Sequence, residues 1–265
     1  MRQTPEHRRR QPPDQADGLR QLFAANDRRV IALVHNPFVA FAGVAMERLA
    51  SALAAHGLHT LVVDAADTAS MPHELADVDL GACVEPLSPK VSYLAARGLP
   101  LRWIDSRGST AGFLDALRLA APHADVVLLH AGAGDLRRAL MGQPICPLVL
   151  TGTHADSLTH AYASIKLLAQ RAGVAVYDLA VVAETDSNRA RASADRLARR
   201  LSDCGERFLG VAMRCWTGID PAGDVGDPTS SALDSLLSAQ LQPHDLAPLP
   251  TAVLAAAGRD HARLN

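Results

Sequence analysis

The sequence predicts an α/β fold, a mostly parallel sheet with helices on both faces, and three observations carry that expectation. Short apolar runs rich in Val, Leu and Ile recur along the chain, at Val30–Val34, Leu58–Asp64, Asp125–His130, Leu148–Leu150 and Tyr177–Val182. They are apolar nearly throughout rather than alternating, as strands buried on both faces are. Stretches with apolar residues at helical spacing lie between them, and strands alternating with helices call for a parallel sheet covered on both sides.

The stretch from Val30 to Asp64 sets the pattern. Val30–Val34 reads as a first strand. Leu49, Leu53 and the alanines around them mark a helix that Gly57 ends. Leu58–Asp64 then reads as a second buried strand finishing on a carboxylate. In such a unit the loop after the first strand is where a phosphate sits, on backbone amides at the helix N-terminus. That use needs glycines for close approach and a lysine for charge. The loop here is Asn36-Pro37-Phe38-Val39-Ala40-Phe41-Ala42-Gly43.

Further on, a helix is expected near Ser88–Arg97, a strand at Leu101–Ile104 and a helix at Ala111–Ala121. After Asp125–His130, the segment AGAGDLRRAL reads as a tight turn into a short helix. Ser157–Arg171 is a helix with Leu158, Ala161, Tyr162, Ile165 and Leu168 inward. Ser187–Asp203 is an arginine-rich helix, Phe208–Met213 a strand and Ser231–Leu241 a last amphipathic helix. On helix 187–203, Arg189, Arg191, Arg196, Arg199 and Arg200 oppose Ala190, Ala194, Leu197 and Leu201, and a solvated face is the expectation.

Residues 1–29 differ in composition, with seven arginines against four acids. Residues 1–13 are expected to be a disordered basic arm. Residues 14–29 hold a short helix and linker: Asp14 caps the helix, and Ala16, Leu19, Leu22 and Phe23 share a face. Two turns are not stable alone, so this helix must dock on something. Residues 30–225 form the body and 226–265 a helical tail.

Of the 265 residues, 48% are hydrophobic and 20% charged, with a net charge of −2. No whole-protein field therefore favours nucleic acid or anionic lipid. Cys83, Cys146, Cys204 and Cys215 show no metal-binding spacing and are expected to be buried free thiols in a reducing compartment. No apolar run nears the length that spans a bilayer, and the basic N-terminus lacks the apolar core of a signal peptide. A cytoplasmic protein is expected.

Three stretches carry a resemblance. HADVVLLHAGAG (123–134) resembles the Walker B strand and turn of the MinD/ParA group of P-loop ATPases. TGTHADSLTHAYASIKLLAQRAG (151–173) is similar to a segment of the flagellar number regulators, the FlhG (FleN, YlxH) branch of that group. PPDQADGLRQL (12–22) resembles the DQAxxLR element by which those regulators engage FlhF, a GTPase of the signal-recognition type. The resemblance spans residues 12 to 225 and implies a P-loop fold preceded by an activator helix, with Asp14, Gln15, Ala16, Leu19 and Arg20 acting on the GTPase. Gln15 would lie near the attacking water, and Arg20 would hold the interface.

The departures from that family matter equally. By the resemblance, the deviant Walker A motif falls on Pro37 to Gly43. Pro37 stands for the signature lysine, Ala42 for the P-loop lysine and Gly43 for the Mg²⁺-holding threonine. Phe38 and Phe41 take glycine positions. His130 stands where the Walker B aspartate would be and Ala183 near where an adenine-side asparagine would be, while Asp64 is kept. The expectation is a pseudo-ATPase with no MgATP bound, no hydrolysis and no metal. His35, His130 and Asp64, at neighbouring strand ends, are expected to form a hydrogen-bond network, with a ligand site as the alternative. The protein would be monomeric, would not bind membranes by itself, and would be drawn to the cell pole or membrane through partners. Those partners would be FlhF and flagellar basal-body or transcriptional regulators. The alternatives are an enzyme or ligand-binding protein with a refitted pocket, and a MinD-like scaffold in polysaccharide secretion.

Overall fold

The computed structural model of the chain describes residues 29–183, 188–222 and 231–242. The arm and helix expected in residues 1–28, including Asp14, Gln15, Ala16, Leu19 and Arg20, lie outside the described residues, as does the tail beyond residue 242.

Eight strands form one sheet: β1 (Arg29–Val34), β2 (Thr60–Asp64), β3 (Glu85–Ser88), β4 (Val91–Ala95), β5 (Val126–Ala131), β6 (Leu148–Gly152), β7 (Val176–Val182) and β8 (Ala212–Ile219). Their spatial order is β3-β4-β2-β5-β1-β6-β7-β8. Every neighbouring pair is parallel except β3 with β4. The helices are α1 (Ala42–Ala55), α2 (Ala111–Ala120), α3 (Ala133–Ala139), α4 (Ala155–Ala172), α5 (Asn188–Leu209) and α6 (Ser231–Gln240).

Strand alternation divides the core between the two faces. Ile31 and Leu33 of β1 pack with Leu49 and Leu53 of α1 and with Leu236 and Leu237 of α6. Ala32 and Val34 point the other way, into the cluster of Phe113, Leu136, Ile165 and Leu201 from α2, α3, α4 and α5. A sheet covered on both faces needs apolar residues at nearly every strand position, and all six residues of β5 are buried. The chain proceeds from β1 to one side of the sheet and, after β5, crosses to the other with β6. The strand order therefore reverses beside β1, and crevices of open α/β sheets lie at the carboxyl ends of strands at such a reversal.

Three elements differ from the expectation. Ser88–Arg97 is a hairpin, not a helix: Ser88 Oγ accepts from the amides of Lys90 and Val91 and turns the chain. The following VSYLA then pairs in parallel with β2, Val62 opposite Tyr93. β-branched and aromatic residues facing a buried neighbour prefer this arrangement. Leu101–Ile104 is not a strand, because β4 already occupies the sheet position beside β2. Leu99–Trp103 instead makes a 3₁₀ turn opened by Pro100. Phe208 belongs to the last turn of α5, which runs to Leu209 before Gly210, at φ 66°, ends it, so the strand begins later, at Ala212. The cysteines also correct the expectation of uniform burial. Cys146 is buried, Cys83 and Cys215 are half-buried, Cys204 on α5 is exposed, and all four are free. Among the described residues no helix is long and apolar enough to cross a membrane.

Candidate functional site

The loop after β1 is held from within. Asn36, 1% exposed, donates through Nδ2 to the Leu150 carbonyl at 3.0 Å, the Ser157 carbonyl at 2.9 Å and Ser157 Oγ at 3.0 Å. Its Oδ1 accepts the Phe38 amide at 3.1 Å, while Ser157 Oγ accepts the Gly152 amide at 2.7 Å. One side-chain amide thereby ties the loop to the end of β6 and the start of α4.

Phe41 precedes α1 with φ 63° and ψ 28°, the one left-handed non-glycine among the described residues. A side chain makes that backbone costly, by about 1–2 kcal/mol. The position keeps a glycine's conformation without a glycine. Phe41 and Phe38 are 64% and 51% exposed, so neither ring compensates fully by burial. Phe38 sets its ring edge against His160, with centroids 5.9 Å apart. Between Pro37 and Gly43 the loop offers no lysine and no hydroxyl.

Beside the loop, the pairing of β1 and β2 on either side of β5 brings His35, Asp64 and His130 together. Asp64 Oδ1 accepts from His130 Nδ1 at 2.8 Å and from the Ala66 amide at 3.3 Å. His130 Nε2 lies 3.1 Å from His35 Nδ1, the rings nearly perpendicular. His130 thus spends both ring nitrogens inside the cluster, so these three side chains do not converge as ligands on one point. Burial, then the neighbouring His130, lowers the His35 pKa, with Asp67 and Asp64 opposing. Burial and then Asp64 raise that of Tyr93, which joins the cluster from β4.

Asp67 and His160 were not singled out in the sequence. Asp67, three residues past β2, stands 2.9 Å from His35 Nε2. Both line a cleft of about 360 Å³ with Pro37, the Gly132–Asp135 turn and Ser164. Burial lowers the His160 pKa as well, with Asp67 opposing. Ala42 and Gly43 begin α1 outside that lining, and no side chain crowds the Gly43 Cβ position.

No protein-family model matches this sequence, and no curated protein does either. Solved structures do match. A plasmid partition protein of Borrelia burgdorferi overlays with a TM-score of 0.54 at 10% identity, covering 80% of this chain and 99% of its own. A plasmid partition protein from Borrelia burgdorferi B31, solved with AMPPNP bound, covers 79% of this chain and 96% of its own, at 8% identity and a TM-score of 0.51. The chain shares its α/β fold with these plasmid partition proteins. At such identities the likeness is one of fold. Within this fold β1, the Pro37–Gly43 loop and α1 form a strand–loop–helix unit, the arrangement in which anions bind at helix N-termini.

Proposed function

We propose that this chain is a nucleotide-independent regulator of flagellar number or assembly, of the FlhG type. Its MinD/ParA-type body has lost ATP binding and hydrolysis, and residues 14–20 stimulate the GTPase FlhF. The observation that supports this most is the loop after β1: it takes a phosphate loop's place, carries Pro37, Ala42 and Gly43 where charge and hydroxyl are needed, and is held by Asn36 instead. Each charged phosphate contact is worth about 1.5–3 kcal/mol. Two lysines and a metal-holding hydroxyl together amount to roughly 5–8 kcal/mol, which turns micromolar affinity into none of use. The DQAxxLR match at Asp14–Arg20 supplies the partner.

The test compares FlhF GTP turnover with the full chain, with a chain starting at Arg28, and with Gln15→Ala. The full chain should accelerate turnover and the other two should not. Turnover unchanged by the full chain ends the proposal. A second reading, a cleft refitted for a ligand other than ATP, is favoured by one observation: His35 Nε2 and His160 Nδ1 are buried there without a hydrogen-bond partner.

A further inference from the structure

A count of protons through the histidine cluster leaves one contact unaccounted for. The Asp64 carboxylate can only accept, so the proton across the 2.8 Å contact sits on His130 Nδ1. With His130 neutral, its Nε2 is an acceptor, and His35 must donate to it from Nδ1 across 3.1 Å. His35 Nε2 is then left with a lone pair. That nitrogen belongs to a side chain 95% buried by its 5% exposure, and it makes no hydrogen bond. Asp67 Oδ1 nevertheless lies 2.9 Å away, off the line along which Nε2 would donate. Two lone-pair atoms face one another with nothing positive between them.

The geometry points to a divalent first-row transition-metal site at the mouth of the cleft, with His35 Nε2 and Asp67 Oδ1 as its protein ligands. Two donors in neighbouring positions of a six-coordinate ion, each at about 2.1 Å, sit about 3 Å apart, and neither lies on the other's lone-pair axis. The relay behind His35 has the form that ligand histidines use: the far ring nitrogen donates, here to His130 and through it to Asp64, which fixes the tautomer and leaves Nε2 free for the metal. Imidazole with carboxylate suits zinc, cobalt or nickel better than magnesium or calcium. Among the described residues no three His, Cys, Asp or Glu side chains converge on a point. Water would complete the coordination, and His160, whose Nδ1 is buried without a partner, lines the same cleft. The inference gives the second reading a ligand and is independent of the action on FlhF.

The experiment titrates the full untagged chain with Co²⁺ by absorption and with Zn²⁺ by calorimetry, without FlhF. One ion per chain should bind, with no intense thiolate-to-cobalt band, and Asp67→Asn should weaken it at least tenfold. Asp67 is exposed, so this variant should keep its melting temperature and near-ultraviolet dichroism. His56→Gln, remote from the cleft, should bind as the parent does. No one-to-one binding below millimolar ion, equal affinity in Asp67→Asn, or a thiolate spectrum would each overturn the inference. In the first case the contact holds a third proton instead of a metal. GTP turnover is not measured here, so either proposal can fail alone.

Discussion

His130 Nδ1 donates to Asp64 Oδ1 across 2.8 Å, joining the ends of two adjacent strands, β5 and β2. The carboxylate is mostly buried and the ring almost wholly so. Replacing His130 with Ala should destabilise the protein by about 2–4 kcal/mol, because it leaves a buried carboxylate short of a donor and opens a cavity. Asp64→Asn keeps an acceptor and should cost less. Urea unfolding of the two variants gives the order, and a smaller loss in His130→Ala than in Asp64→Asn would contradict it.

Phe41 sits in the left-handed region with most of its ring in water. Phe41→Gly should hold stability level or raise it by up to about 1 kcal/mol, as relief of backbone strain offsets the greater freedom of the unfolded chain. Phe41→Val should lower it by more than about 1 kcal/mol, since β-branching is worst at this φ. Thermal melts of the pair measure both.

Asp178, fully buried on β7, takes Arg214 in a two-pronged contact, the Gln240 amide at 2.7 Å and the Cys215 backbone amide at 3.1 Å. Removing a partner leaves a buried charge uncompensated. Arg214→Ala should therefore cost about 3–5 kcal/mol, against a smaller loss in Arg214→Lys. The midpoint of urea unfolding at pH 7 distinguishes them.

Burial pushes the Tyr177 phenol up to about 12, against an ordinary value of 10. The unfolded chain therefore releases this proton first. The contribution is fully present below pH 10 and is lost as pH rises toward 12, by up to about 1.4 kcal/mol per pH unit. Tyr177→Phe should flatten that part of the stability profile. An equal alkaline slope in parent and variant would assign the loss to other groups.

If the proposed reading holds, millimolar MgATP gives no heat of binding in calorimetry. A clear exotherm with one-to-one stoichiometry would return the loop to the nucleotide-binding class.

The βαβ unit, the carboxyl-end placement of His35 and His130 and the long helix after residue 155 were legible because each depends on short-range pattern. The hairpin at Glu85–Ala95 was not, since a single turn of helical spacing and a five-residue strand look alike until β2 supplies the partner. Asp178 reads as an interruption in an apolar strand, and its meaning lies in Arg214, 36 residues on. Asp67 was hidden similarly: the strand end pointed to Asp64, and nothing in the sequence says that the carboxylate three residues on reaches His35. Asn36 and Ser157 are separated by 121 positions, and their bond becomes visible when the strands are set side by side.

That bond between Asn36 and Ser157 ties the loop after β1 to the start of α4. If the proposed reading holds, a segment clamped by its own neighbours has no charged and discharged states to alternate between. If residues 14–20 act on a GTPase, the body behind them keeps no clock, and copy number in the cell would set the dose.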